Sequence, residues 1–244
     1  MFADDVTESA TGRSAEEVGA QLLDGYNKTK SYCDARELII NENKTQFILF
    51  KQPSKKITSD FELQIGNTLI KADEVVTLLG FQLDRHFTFN AHISASIIKA
   101  RGILFAIKKA SKNLPKELSK LAYTALVRSH LEYCSAVFAG ASKTHLDKLE
   151  TVQRIAARII CGVVADAHAE PLLADLNLAL LSERRTNHVL EIIDKITRNS
   201  CHDGLLDLIN YSQLNSELVM ETSRTMIGRK RFSTVAAATY NQFN

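Results

Sequence analysis

Cysteine is scarce in this sequence, and the few cysteines stand far apart. The chain of 244 residues has four, at Cys33, Cys134, Cys161 and Cys201. No two of them have the C-x-x-C spacing, and no histidine follows at a zinc-knuckle interval, so the pattern favours neither a zinc site nor a disulfide framework. The first residues also lack a secretory-signal pattern. We therefore expect reduced, mostly buried thiols in an intracellular protein of the nucleus or cytoplasm.

Long apolar runs, internal repeats and low-complexity tracts are also missing. No apolar stretch reaches the roughly 20 residues that cross a bilayer, so the sequence predicts no membrane partner. The formal net charge is only +2, which excludes the strong overall field of many nucleic-acid-binding proteins. Hydrophobic residues make up 45% of the chain, enough for one large or two small cores. No feature predicts the oligomeric state.

The charge is, however, unevenly placed along the chain. Residues 1–50 carry nine acidic and five basic side chains, a balance of −4. Residues 99–120 carry seven basic side chains and one acidic one, a balance of +6. An acidic site beside a basic arm would show this pattern, and so would two ordinary solvated faces.

The first part of the chain predicts one helix and two strands. Ser14 and Glu17 have the spacing of a capping box, and apolar residues then recur at helical spacing to about Tyr32. Residues 38–40 and 45–50 read as two short strands joined by a turn.

The next part predicts a hairpin and a further β-rich run. Residues 61–65 alternate between apolar and polar, Gly66-Asn67 makes a two-residue turn, and residues 68–71 return. Residues 75–83 are rich in β-forming residues, with Gly80 marking a bulge or a close backbone approach.

Beyond residue 86 the periodicity becomes helical. One stripe consists of Ile93, Ile97, Ala100, Leu104 and Ile107. Pro115 opens the next helix, whose predicted apolar face consists of Leu118, Leu121, Ala122, Ala125 and Leu126. Further helices are predicted over 146–160 and 181–196. The order of elements predicts an α+β domain followed by an all-α one, with the joint near Arg85-His86.

Two adjacent carboxylates, Asp4 and Asp5, form the first candidate site. They follow Phe2-Ala3 and precede a β-compatible residue, which favours a tight hairpin tip. Neighbouring like charges disfavour joint ionisation, and a divalent, oxygen-binding ion such as Mg²⁺ relieves that repulsion. The alternative is a solvated Asp-Asp turn.

Two sets of basic side chains are candidate phosphate contacts. Lys44 lies where a turn meets the predicted strand over 45–50. It is either a cation that lies near phosphates or a solvated lysine at the edge of the sheet. Further along, four bases fall within about 100° on a helical wheel, beside the apolar stripe. They are Arg101, Lys108, Lys109 and Lys112. They form either a nucleic-acid contact or a solvated face.

Several segments, taken in order, resemble the C-terminal part of the reverse transcriptase of a non-LTR (LINE-type, Jockey/CR1-like) retrotransposon. Phe2-Ala3-Asp4-Asp5 is similar to that family's Tyr/Phe-Ala-Asp-Asp box. Ile40-Asn41-Glu42-Asn43-Lys44-Thr45 resembles its Asn-x-x-Lys-Thr segment. Leu79-Gly80-Phe81-Gln82-Leu83-Asp84, followed by residues 87–93, resembles the stretch that enters the thumb.

Two helical signatures extend the resemblance, at residues 131–135 and 149–154. The match covers most of residues 1–161 and, more loosely, the rest. It implies a partial palm over 1–85 built of antiparallel β hairpins with a packed helix, an all-α thumb-like region over 86–162, and a helical C-terminal extension over 163–244.

The resemblance also implies roles for the candidate residues. Asp4, supported by Asp5, would bind catalytic Mg²⁺, with Mn²⁺ as a substitute, for attack of a primer 3′-hydroxyl on a nucleoside triphosphate. Lys44 would assist the leaving pyrophosphate, and Gly80 would lie at the primer-grip turn. The helix with Arg101, Lys108, Lys109 and Lys112 would follow duplex phosphates. The partners would be an RNA template and a DNA primer.

The sequence departs from the family in one essential respect. The family's other metal-binding aspartate lies on a strand upstream of its Asp-Asp box, as do the fingers. This sequence contains neither that strand nor the fingers. We therefore expect that this chain alone does not polymerise, because two-metal chemistry needs ligands from both strands. The alternative is a domesticated or decayed remnant that binds nucleic acid or a protein without catalysis.

Overall fold

The computed structural model describes residues 5–50, 61–66, 68–197, 211–212, 217–218 and 232–243. The chain forms two compact units, Met1–Val76 and Thr77–Asn244. Within the described residues, no helix is both long and apolar enough to span a membrane. The division into palm, thumb and extension is a functional one and stays a prediction.

The first unit begins with helix α1, Ala15–Asp34. The Ser14 hydroxyl accepts a hydrogen bond from the Glu17 amide at 3.2 Å, which confirms the predicted cap. The Glu17 carboxylate reaches back to the amide of Arg13 at 2.9 Å, one residue before the cap itself. The capping box therefore forms, except that the hydrogen bond from the Glu17 carboxylate goes to the amide of Arg13 instead of the amide of Ser14.

A β-hairpin provides the core of the first unit. Strands β1, Glu62–Ile65, and β2, Thr68–Lys71, are antiparallel, and Ile65 pairs with Thr68 as the predicted turn requires. Gly66 has a φ of +55°, the conformation for which a two-residue turn selects glycine. The buried core residues are Phe47, Leu63, Ile65 and Ile70. Leu22, Leu23 and Tyr26 of α1 pack against them.

The strands predicted at 38–40 and 45–50 do not form. Residues 38–41 and 45–50 are irregular, and a short 3-10 turn, Glu42–Lys44, lies between them. Ile39 is 96% exposed, whereas Phe47 is buried in the hairpin core. A β-rich segment becomes a strand only when a neighbour pairs with it. Here Phe47 is held by its burial and by the hydrogen bond that its carbonyl accepts from the Asp73 amide at 2.7 Å.

The β-rich run predicted over 75–83, with its interruption at Gly80, forms a second hairpin. Strand β3, Val75–Leu78, pairs with β4, Phe81–Asp84. Leu79 and Gly80 have φ angles of 49° and 79°. Two successive residues with positive φ form the tight turn that the twist of a hairpin favours. Gly80 is therefore part of a hairpin turn and does not mark a bulge.

Helices make up most of the second unit. They are α2 Asn90–Ala110, α3 Lys116–Ala122, α4 Ser129–Glu132, α5 Lys143–Cys161, α6 Ala169–Asp175, α7 Leu181–Thr197 and α8 Phe232–Phe243. A 3-10 turn, Ser111–Asn113, follows α2, and a π-helical turn, Tyr123–Arg128, joins α3 to α4. A last short hairpin pairs β5, Tyr211–Ser212, with β6, Glu217–Leu218. Hairpins combined with helices confirm the α+β class, but the β5–β6 hairpin lies in the region that the sequence predicted to be all-α, so that part of the prediction is wrong.

The core of this unit forms around the predicted stripe of α2, all five members of which are buried. Tyr123, Val127 and Leu131 pack against it, with Leu149 and Val152 from α5. A smaller cluster links α7 to α8. It contains Ala136, Val189, Ile193, Ile196, Ala236 and Ala237.

The predicted face of α3 is wrong. Leu118, Leu121 and Leu126 are exposed, while Ser119, Tyr123 and Val127 are buried instead. The buried side of this segment contains a serine and a tyrosine hydroxyl, so its hydrophobic periodicity is weak. The exposed side, being rich in leucine, carries the stronger but misleading pattern.

Candidate nucleic-acid interface and catalytic residues

Helix α2 presents a basic face along one flank of its buried stripe. Arg101, Lys108 and Lys109 are exposed, as is Lys112 in the turn that follows. The sequence of α2 contains no acidic residue. Because the apolar stripe fixes the other side in the core, these bases project from the protein. The structure thus brings together the four residues that the sequence singled out on this helix.

Two large apolar side chains lie among these bases. Ile98 is 72% exposed and Phe105 is 60% exposed. The Lys109 ammonium lies 4.6 Å from the centroid of the Phe105 ring, within reach of a cation–π contact. Exposed apolar groups that alternate with cations are typical of a surface that contacts both the phosphates and the less polar parts of a nucleic acid.

The hairpin turn lies beside a polar pocket in the same unit. Gly80 lines it together with Gln82, Lys99 and His130, and its volume is about 60 Å³. The Tyr133 hydroxyl donates a hydrogen bond to the Leu79 carbonyl and so holds the turn. Lys99 is thus a basic residue of α2 that lies beside Gly80, a placement that the helical wheel alone could not show.

Asp84 anchors the connection between β4 and α2. Its buried carboxylate accepts hydrogen bonds from the amides of His86, Thr88 and Phe89, at 3.1, 2.9 and 2.6 Å. Phe87 and Phe89 both have positive φ angles, 50° and 59°. For non-glycine residues that conformation needs compensation from the surroundings. The three bonds to Asp84 supply it and fix the start of α2 relative to the hairpin.

His92, on the first turn of α2, is buried among aromatic rings. The centroid of its ring lies 4.2 Å from that of Phe81 and 5.7 Å from that of Phe138. Burial lowers the pKa of His92, the hydrogen bond to the Tyr133 carbonyl opposes that shift, and the charge of Lys99 adds to it. The imidazole therefore belongs to the core and holds β4, α2 and the Tyr133 segment together.

A partly buried and a buried carboxylate explain the two helical signature segments. Glu132 forms ion pairs with Arg128 of the π-helical turn and with Arg184 of α7. Glu150 accepts hydrogen bonds from the amides of Leu181 and Ser182, at 3.3 and 2.6 Å, and so caps the start of α7. The signatures at 131–135 and 149–154 therefore hold helices together, a role that no sequence pattern beyond the resemblance itself indicates.

A buried hydrogen bond complements these carboxylates. The Tyr123 hydroxyl donates to the Gln153 side-chain carbonyl at 2.7 Å, and Gln153 in turn donates to the Ala179 carbonyl at 2.9 Å. Burial raises the pKa of Tyr123, so the hydroxyl keeps its proton. Both polar groups in the middle of the core are thereby satisfied.

The candidate catalytic residues lie in the first unit. Asp4 falls outside the described residues; Asp5 is described and exposed. Lys44 is exposed at the end of the 3-10 turn Glu42–Lys44. Across the described part of the chain, no three His, Cys, Asp or Glu side chains are grouped so as to hold a metal ion.

Comparison with known proteins gives one informative similarity. The chain is 22% identical over 241 residues to the probable RNA-directed DNA polymerase from transposon X-element of Drosophila melanogaster. The alignment covers 96% of this chain and 26% of that polymerase, so the chain spans about a quarter of its relative. No family model and no solved structure matches the chain. The similarity supports a relationship with reverse transcriptases.

Proposed function

We propose that this chain is the palm end and thumb of an RNA-directed DNA polymerase of a non-LTR retrotransposon of the Jockey/CR1-like type. The observation that carries the proposal is the similarity to the X-element polymerase, which extends over 96% of the chain. The order of elements agrees with it, since β-hairpins and a packed helix precede a helical unit.

In this proposal the helical unit grips the template–primer duplex. Arg101, Lys108, Lys109 and Lys112 lie on one exposed face and contact phosphates without regard to sequence. The turn at Gly80 lines one pocket with Lys99 of α2 and approaches the primer strand. Both assignments concern residues of the second unit alone.

The proposal also assigns Asp4 and Asp5 as Mg²⁺ ligands and Lys44 as the group near the departing pyrophosphate. A two-metal polymerase site takes carboxylates from more than one strand. The two aspartates would thus form one side of a site that the rest of a polymerase completes. Asp5 and Lys44 are both exposed, which leaves them accessible to such a partner strand and to substrate.

A second candidate is a non-catalytic binding module derived from such a polymerase. It is favoured by the basic and apolar face of α2, because that surface belongs to the helical unit and is complete without the aspartates.

Primer extension on an RNA template separates the two candidates. It is measured with a longer polypeptide that joins this chain to an upstream palm strand and fingers, and with its Asp4→Asn and Asp5→Asn variants. The polymerase proposal expects extension by the unsubstituted polypeptide, loss of extension to background in the Asp4→Asn variant, and unchanged duplex binding. Extension by Asp4→Asn at the unsubstituted level would remove the catalytic assignment and leave the binding module.

A further inference from the structure

A row of exposed leucines follows α3 and the π-helical turn. This leucine strip comprises Leu114, Leu118, Leu121 and Leu126, which are between 39% and 61% exposed. Single exposed apolar side chains are common on protein surfaces, whereas a contiguous group of them marks an interaction site. The other side of the same segment already packs in the core of the second unit. The strip is therefore a surface that the fold itself does not use.

The π-helical turn keeps the strip on one side of the segment. Leu118 and Leu121 are three residues apart, the spacing of neighbours on a helical face. Leu126 follows five residues after Leu121, a step that a regular α-helix would place off that face. The turn Tyr123–Arg128 takes up the additional residue, because its hydrogen bonds join residues five apart. Single π-helical turns occur frequently at functional sites.

The leucine strip ends at the polar pocket beside Gly80. His130 lies four residues after Leu126, one helical turn further along, and it lines that pocket together with Tyr133. The volume of about 60 Å³ is enough for a few water molecules, or for a polar group that replaces them. The apolar strip and the pocket are thus neighbouring parts of one surface, and both belong to the second unit.

The pocket is lined by hydrogen-bond donors that have no partners. Ser96 is only 8% exposed, and its hydroxyl forms no hydrogen bond with any described residue. The Gln82 amide and the Lys99 ammonium form no hydrogen bond or ion pair within the described part of the chain either. No acidic side chain is among the described residues that line the pocket. A buried polar group without a partner is costly, so the pocket suits a small anionic acceptor such as a carboxylate.

The leucines show what kind of molecule carries this carboxylate. A nucleic acid pairs its phosphates with cations and stacks its bases on aromatic rings, and the strip offers neither. An amphipathic helix buries apolar side chains at helical spacing in an apolar surface of this kind. A glutamate one turn beyond its last apolar residue would reach the pocket, because the pocket lies one turn beyond Leu126.

We propose that the leucine strip and the pocket together dock an amphipathic helix of a partner polypeptide, with a glutamate of that helix in the pocket. The glutamate carboxylate accepts hydrogen bonds from the Ser96 hydroxyl and the Gln82 amide and pairs with Lys99. The inference goes beyond the proposed function and does not rest on it. A primer phosphate near Gly80 and the docked glutamate would compete for the same pocket.

Two designed peptides test the proposal. The glutamate peptide is an alanine- and glutamine-based helix with leucine at i, i+4, i+7 and i+11 and a glutamate one turn beyond the leucines at each end. The glutamine peptide has glutamine in place of both glutamates. Fluorescence anisotropy measures their binding to the whole chain. The glutamate peptide should bind with a Kd below about 100 μM, and the glutamine peptide about threefold more weakly, the effect of one exposed ion pair.

Variants of the chain test the strip and the pocket separately. Leu121→Gln should weaken the binding of both peptides about tenfold, because it removes an apolar contact. Lys99→Gln should weaken only the glutamate peptide, about threefold, and should abolish the difference between the two peptides. Ser96→Ala should weaken the glutamate peptide about fivefold, the effect of one hydrogen bond.

Matched controls exclude misfolding and nonspecific effects. Leu69→Gln replaces an exposed leucine of the first unit, and Lys143→Gln replaces an exposed lysine of α5. Both should leave the Kd of either peptide unchanged. The urea midpoint of Leu121→Gln should equal that of the wild type, because the side chain is exposed. Leu126→Gln repeats the strip test at a second position.

Several results would overturn the inference. Wild-type peptide affinity in Leu121→Gln and Leu126→Gln, or no saturation of the wild type at about 1 mM glutamate peptide, would show that the strip docks no helix. Equal wild-type affinity for the two peptides would show that the pocket receives no glutamate.

Two further results would assign the strip to another occupant and so also overturn the inference. Sedimentation of the free chain as a dimer that Leu121→Gln dissociates would assign it to a second copy. Loss of RNA–DNA hybrid binding in Leu121→Gln would assign it to nucleic acid. Neither result decides the proposed function, because primer extension and its Asp4→Asn variant test that function separately.

Discussion

At the residue scale, polar side chains at the joints between elements decide the geometry of the helical unit. The Asp84 carboxylate accepts hydrogen bonds from three backbone amides between β4 and α2. The Glu150 carboxylate accepts hydrogen bonds from two amides at the start of α7. The sequence marked both residues only as parts of motifs shared with a family. Their physical role was not predictable, because a carboxylate that pairs with distant amides leaves no periodic signal.

His92 gives the residue scale a measurable pH dependence. An unfolded histidine has a pKa near 6.5, and burial lowers the pKa of His92 in the folded protein. Below about pH 6.5 the unfolded state therefore binds a proton that the folded state resists, and stability must fall as the pH decreases through that window. Above it, His92 is neutral in both states and the contribution of its burial is fully present.

Urea unfolding between pH 7.5 and 5 measures this effect. The wild type should lose stability as the pH falls below about 6.5, and His92→Phe, which keeps an aromatic ring in the cluster, should lose less. His168→Gln, a substitution of an exposed histidine, should behave like wild type. If the free energy of unfolding fell equally with pH in His92→Phe and in the wild type, the pKa of His92 would be the same in the folded and unfolded states. That result would contradict the prediction.

At the element scale, the sequence predicted those elements that need no distant partner. The cap of α1, the β1–β2 hairpin and the buried stripe of α2 follow from local spacing and turn chemistry, and the structure confirms them. The strands at 38–40 and 45–50 failed because pairing depends on a neighbour that sequence does not reveal. The same holds for α3 and the π-helical turn after it. Their buried side depends on the hydrogen bond that the distant Gln153 accepts from the Tyr123 hydroxyl.

The corrected face of α3 makes a stability prediction. Leu121 is 61% exposed, so Leu121→Ala should change the free energy of unfolding by less than about 0.5 kcal/mol. Leu131, a buried leucine in α4, provides the matched comparison, and Leu131→Ala should cost about 2–5 kcal/mol. Urea unfolding of the two variants distinguishes them. Similar large losses would restore the face that the periodicity predicted.

At the scale of the whole molecule, charge is separated between the two units. The acidic excess of residues 1–50 lies in the first unit, and the basic excess of residues 99–120 lies in the second. A net charge of +2 therefore conceals a strongly basic surface on one helix. For this chain, local charge balance was a better guide to the basic surface than overall composition.

The candidate site was predictable from sequence to a different degree in each unit. The basic face of α2 followed from the helical wheel, because a stripe that is buried forces the remaining positions outward. The proximity of Lys99 to Gly80 did not follow, since it depends on how the second hairpin packs beside α2. The aspartates were singled out as adjacent carboxylates, and their assignment to a polymerase site rests on the resemblance and on the X-element similarity.

The most direct test of the duplex grip is the salt dependence of RNA–DNA hybrid binding between 50 and 200 mM salt. It is measured for the wild type, for Lys108→Glu with Lys112→Glu, and for a matched pair on α5, Lys143→Glu with Lys148→Glu. Reversal at 108 and 112 should weaken binding and reduce the slope of log Kd against log salt by about 2, one unit per lost phosphate contact. The α5 pair should leave that slope unchanged. Wild-type affinity and slope after reversal at 108 and 112 would show that these lysines do not contact the duplex.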